Sequence, residues 1–225
     1  MTTTAPITTT PGPASAIRRP RFGFALAIVT QIAMMTGASA PSPFYPVLAA
    51  EIGFDAIVIS AVFAVYAIAL LLALLSAGSL SDHIGRRPVA IGGLLLLAGS
   101  MLLFWHADSV ATLMLARILQ GAASGVLIAA LSAAALDLAP GGRSRVAALW
   151  NALSPGIGLA LGALVSGIAL DVTGQPLLDV FAPLTVIYLV LAALFFLAPE
   201  TAPLHPGAWG SVSYTHLRAH ETKAN

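Results

Sequence analysis

The chain has 225 residues, 58% of them hydrophobic and only 8% charged, with a mean hydropathy of +0.93. Soluble domains carry roughly 25% charged residues, and a water-soluble sphere of this size could not hide so much apolar surface, so the bilayer is the natural solvent. A formal net charge of +1 gives no basic surface for nucleic acid, and the absence of cysteine excludes disulfides, thiolate zinc sites and cysteine nucleophiles.

Residues 1–21 are rich in Thr, Pro and Ala and end in Arg18-Arg19-Pro20-Arg21, the pattern of a disordered arm with a basic anchor. Phe22 to Ala40 is the first apolar span, long enough to cross a hydrocarbon core of about 30 Å. Ala38-Ser39-Ala40 mimics a signal-peptidase site, but the apolar stretch before it exceeds the roughly 7–15 residues of a signal-peptide core. Pro41 to Ala56 reads as a loop with three prolines, Glu51 and Asp55. The remaining spans are Ile57–Leu80, Pro88–Trp105, Ser109 to about Leu136, Val146–Leu170 and Leu177 to about Ala198. The segments between them are short and polar.

Charge sorts by side. The N-terminal arm and the 81–88 and 137–145 loops hold Arg18, Arg19, Arg21, Arg86, Arg87, Arg143 and Arg145. The opposite loops hold no Lys or Arg, and Glu51, Asp55, Asp108, Asp171 and Asp179 fall on that side. This positive-inside pattern predicts six transmembrane helices with both termini cytoplasmic. The first three spans and the last three start on opposite sides, which is the topology of a three-plus-three inverted repeat, although no residue-level self-similarity is evident.

The chemistry concentrates in few places. Gly78-x-x-x-Asp82-His83-x-Gly85-Arg86-Arg87-Pro88 joins the second and third spans. Gly78 permits close helix approach, Gly85 a strained turn, and Pro88 the first turn of a helix. Asp82 can pair with Arg86 or Arg87, and a pair made in one conformation alone works as a latch. The alternative is that the arginines only set topology. The fourth span carries Arg117-Ile-Leu-Gln120-Gly121-Ala-Ala-Ser124-Gly125. An arginine at mid-membrane costs at least roughly 2.5–3.5 kcal/mol, so Arg117 faces protein or a wet cavity, or else snorkels to the outer surface. Arg117 and Gln120 share one helical face, and Gly121 and Gly125 form a close-packing edge. In the fifth span, Pro155 and Gly158 give a kink or hinge beside Ser154. Gln31, Tyr66 and Asn151 are further polar residues within spans, each able to face a cavity or a neighbouring helix. No phosphate-binding loop is present, and Ser124 has no evident catalytic partner, so the chain reads as neither an ATPase nor an enzyme.

The run from Gly78 to Arg87 resembles the signature loop of the major facilitator superfamily, at the expected place in the topology, with His83 where the family usually has Arg or Lys. Arg117-x-x-Gln120-Gly121 resembles a second signature of that family. Pro155 and Gly158 match an antiporter pattern only in part, because Ser154 and Leu159 replace glycines. The resemblance covers residues 22–198 and implies an all-α membrane protein, the N-terminal six-helix half of a transporter that alternates access about a central site. It implies a gate made of Gly78, Asp82, Gly85, Arg86 and Arg87. It also implies contact with substrate or protons at Arg117, Gln120 and Gln31, and packing or hinge roles for Gly121, Gly125, Pro155 and Gly158. The expected partners are a small-molecule substrate, protons, the lipid bilayer and a missing C-terminal half. No cofactor, metal or nucleic acid is expected. The expected place is the plasma membrane. Proton-coupled efflux is the first functional reading; the alternatives are a proton-coupled importer of a sugar or organic acid and a non-transporting membrane fragment. Residues 199–225 read as a cytoplasmic tail that, from about residue 211, resembles a translated sequencing-adaptor artefact, so that His216 and His220 are no metal site.

Overall fold

Ser109 opens the most buried helix. Its hydroxyl accepts from the Thr112 amide (3.2 Å) as an N-cap, and the chain then stays helical from Val110 to Asp137, α5. The computed structural model describes residues 13–142 and 144–200, without the side chains of 13–19, 77–84 and 142. In chain order the other helices are α1 (Pro13–Ser39), α2 (Tyr45–Ile52), α3 (Ala56–Ile84), α4 (Arg86–Trp105), α6 (Ser144–Val172) and α7 (Pro176–Phe195). Among the described residues six helices are long and apolar enough to cross a membrane, all but α2. Lipid offers no hydrogen-bond partners, so a spanning chain satisfies its backbone internally, and the helix does that within one segment.

Small residues decide which helices touch. Gly121 and Gly125 lie against the backbone of α3 at Tyr66 and Leu70, where an added Cβ would overlap a carbonyl oxygen. Gly158 and Gly162 do the same against α1 at Ile32 and Thr36. Thus α5 packs on α3 and α6 packs on α1, while α4 packs on both α5 and α7. Numbering the spans one to six, these are pairs four–two and five–one. Exchanging spans one to three with spans four to six maps each of these two pairs onto the other, as an inverted repeat requires.

Burial is uneven. Only 6% of the apolar window of α3 is buried, against 56% for α5. Leu71, Leu72 and Leu75 of α3 are exposed, as are Leu164 and Ile168 of α6. α5 is therefore the hub, and α3 and α6 present broad apolar faces outward.

Two segments differ from the sequence expectation. The 41–56 stretch is not a plain loop. A 3-10 turn at Ser42–Phe44 leads into α2, and each begins with a proline at its first turn, where the missing N–H costs nothing. Gly53, left-handed at φ 82°, closes α2. The 81–88 stretch is also more helical than a loop. α3 continues to Ile84, one residue breaks the helix, and α4 begins at once. That residue is Gly85, at φ 100°, a conformation that side chains with a Cβ rarely adopt.

Candidate functional site

The polar residues gather in three places along the bundle. At the end bearing the arginines, the start of α4 is clasped by two other helices. The main-chain amides of Arg86 and Arg87 donate to the two carboxylate oxygens of Glu200 (2.9 and 3.1 Å). An anion at exposed N–H groups is what a helix N-terminus favours. A Cβ at Gly85 would stand 2.9 Å from the same carboxylate, so glycine is needed there for space as well as for its backbone angle. The Arg86 guanidinium pairs with Asp137, the last residue of α5. The Arg87 guanidinium donates to the Phe196 main-chain carbonyl, just past α7, and lies over the Phe196 ring at 5.6 Å. Both cations therefore sit at helix C-termini, where the dipole attracts them. A small cavity beside the clasp, about 10 Å³, is lined by Gly23, Leu131, Leu138 and Phe195 among others. Gly78 and Asp82 belong to the last turns of α3, but the expected pairing of Asp82 with an arginine lies outside the described residues.

At the opposite end Arg117 is 1% exposed. It neither snorkels nor lines an open cavity. Its Nε donates to the Tyr45 hydroxyl of α2, and its Nη1 to the Ala38 carbonyl (3.1 Å) and to Gln120 Oε1 (2.6 Å). Gln120 in turn donates to the Gly37 carbonyl (2.7 Å). The rings of Tyr45, Phe63, Tyr66 and Phe104 surround the guanidinium at 5.2–5.4 Å from their centroids. A hydrogen bond to a charged group contributes about 1.5–3 kcal/mol, so three of them outweigh the cost of insertion. The ring faces add cation–π attraction in place of a carboxylate. Nη2 has no hydrogen-bond partner among the described residues. Within this cluster Tyr45 is the hydrogen-bond partner that sequence reasoning missed: it lay among prolines taken for a loop, and only its aromatic hydroxyl hinted at a partner.

Gln31 belongs to neither cluster. It is 3% exposed and donates to Ser132 Oγ (3.1 Å), whose helix position is about 18 Å along α5 from Gln120 at helical rise. Asn151 of α6 donates to the Ser132 main-chain carbonyl (3.3 Å). The structure thus brings Arg117 and Gln120 together and places Gln31 elsewhere, with Ser132 and Asn151. Gly121 and Gly125 pack on α3, and Gly158 packs on α1, with Pro155 one turn before it within the continuous helix α6.

Six membrane-length helices with paired glycine seams and no strand among the described residues define a polytopic helical membrane protein. Its sequence matches the family model described as Major Facilitator Superfamily over residues 27–222, and the chain belongs to that family. Two curated relatives are similar to it. An uncharacterized MFS-type transporter of Bacillus subtilis (strain 168), YhjO, is 31% identical over 140 residues, which is 62% of this chain and 34% of the relative. An uncharacterized transporter of Rickettsia bellii (strain RML369-C) is 33% identical over 141 residues, 61% of this chain and 34% of the relative. The matched part thus spans about a third of the length of each.

Proposed function

We propose that this chain supplies the first six helices, within residues 22–198, of a secondary transporter that moves a small molecule by alternating access and exports it against protons. The arginine-bearing end faces the cytoplasm of a cell whose plasma membrane holds the protein. The observation that carries the reading is the clasp at that end. Gly85, Arg86 and Arg87 of the family signature tie α4 to the ends of α5 and α7, making one stiff unit that can rock against a second half. Arg117 and Gln120 support proton coupling: the guanidinium is a buried charge deep in a span, and its Nη2 has no hydrogen-bond partner among the described residues. The family's second signature falls on these residues.

The experiment uses the completed gene, with six further helices, in inverted membrane vesicles energised to be acid inside. Adding an exported compound is expected to collapse the proton gradient, and Arg117→Lys is expected to abolish that collapse. A gradient indifferent to a broad panel of amphiphilic compounds counts against export. A second reading, proton-coupled import of a sugar or organic acid, is favoured by Ser154 and Leu159, which replace glycines of the antiporter pattern. Accumulation of labelled sugar in intact cells, lost on adding an uncoupler, would select it.

A further inference from the structure

Near its end α1 turns two carbonyls toward α5, and a third helix fixes where they point. Pro41 brings no N–H, so the Gly37 carbonyl finds no helical donor four residues on. The Ala38 carbonyl belongs to the same last turn, whose acceptors look outside the helix for partners. Gln120 takes the first (2.7 Å) and Arg117 the second (3.1 Å). The negative end of a helix therefore stands beside the guanidinium where a carboxylate is lacking.

Tyr188 of α7 holds that turn from another side. It is fully buried, and its hydroxyl donates to the Ala33 carbonyl (3.0 Å). The same oxygen fills the space that a Cβ at Gly37 would take. The hydroxyl thus rests on α1 between Ala33 and Gly37, two residues that a single helical hydrogen bond joins. A side chain lodged in that ladder bends a helix at the place where it enters. Packing alone does not ask for this pair. Phenylalanine at 188 over alanine at 37 would occupy similar space, with no hydroxyl deep in the bundle and no glycine in a helix interior.

We infer that Tyr188 is a positioning residue: acting through α1, it aims the Gly37 and Ala38 carbonyls at Gln120 and Arg117. This deepens the proton-coupling reading and rests on it, yet the positioning can be measured without transport. The chain has three glutamines, Gln31, Gln120 and Gln175. Labelled with 15N at their side-chain amides and placed in phosphatidylcholine nanodiscs, it yields three pairs of amide resonances, and Gln120→Met identifies its own by loss. Tyr188→Phe keeps the ring and removes the hydroxyl. It is expected to move the Gln120 pair upfield, as the bond to the Gly37 carbonyl lengthens. Thr185→Val is the control. It removes a buried hydroxyl from the same helix, one bonded only within α7 to the Phe181 carbonyl (2.8 Å), and is expected to leave the pair in place. The double variant Tyr188→Phe with Gly37→Ala refills the notch. It is expected to recover the melting temperature that Tyr188→Phe loses while the Gln120 pair stays displaced, so the test survives if the single variant does not fold. A Gln120 pair that ignores Tyr188→Phe overturns the inference. So does one that moves alike with Thr185→Val, or one that returns with stability in the double variant. A displaced pair in a protein whose completed form transports without protons would sink the coupling reading and leave the positioning. Proton-coupled transport with an unmoved pair would do the reverse.

Discussion

Arg117 is tolerated in the membrane because its surroundings were built for a planar fork and not for a point charge. Nε and Nη1 reach three acceptors on α1, α2 and α5, and four aromatic rings lie around the plane. Lysine keeps the charge but offers one nitrogen, and it stacks less well. Arg117→Lys is therefore expected to leave at least one buried acceptor unmade, at about 1–3 kcal/mol for each acceptor. Thermal unfolding of the purified protein in detergent checks this, and an unchanged midpoint would mean that the hydrogen bonds carry no stability. Arg117 and Gln120 were legible as partners from their spacing, since three residues on a helix bring side chains to one face. Tyr45 was not legible. Its pairing with Arg117 spans 72 positions of sequence, and prolines at 41, 43 and 46 read equally as loop formers and as helix starts. Gln31 was placed with Arg117 through the family resemblance; periodicity gives the face of a helix, and the depth at which two helices meet depends on their packing.

At the scale of whole helices the glycine seams are the test of the fold. A Cβ at Gly162 would overlap the Thr36 carbonyl and the Ser39 hydroxyl of α1, whereas one at Gly156, on the same helix, would meet nothing within 4 Å. Gly162→Ala must push α1 and α6 apart and is expected to cost about 1–3 kcal/mol, as overpacking does. Gly156→Ala is expected to be neutral or stabilising by up to about 1 kcal/mol, through helix propensity. Side-by-side melting curves of the two variants decide it; equal losses would mean that the backbones do not approach as closely as described. The α4 start makes a second, smaller prediction. Glu200→Gln weakens the anion at the Arg86 and Arg87 amides and is expected to cost about 1 kcal/mol, like the loss of a helix cap. Faster hydrogen exchange at those two amides, with the rest of α4 unchanged, is the expected record. The glycine seams were partly readable, because small residues four apart on an apolar helix have one main use. The clasp was not. Asp82, the acid expected to meet the arginines, lies outside the described side chains, and the two acids that do reach them, Asp137 at the end of α5 and Glu200 beyond α7, stand 51 and 114 positions from Arg86 by their numbering.

For the molecule as a whole, two independent records of sidedness agree. The sequence sorts its arginines into alternate connections, and the fold gathers residues 23, 86, 137, 138, 199 and 200 at one end and residues 38, 45, 104 and 117 toward the other. Such a gathering requires successive spans to run in opposite directions, so orientation reduces to one choice for the entire bundle. Lys and Arg near span ends make that choice during insertion, and the sequence assigns seven arginines to connections expected on one side. The chain contains no cysteine, so single cysteines report position without background. Glu51, Asp171 and Ser144 are all exposed, and none belongs to the packed seams. In intact cells Glu51→Cys and Asp171→Cys are expected to react with a membrane-impermeant maleimide, and Ser144→Cys is expected to react only after the membrane is opened. Labelling of Ser144→Cys from outside, together with protection of the other two, would turn the bundle over and place the Arg86–Asp137–Glu200 clasp on the external face. Mixed labelling at all three would mean that the charge asymmetry is too weak to orient the chain, and that the clasp cannot belong to one defined side.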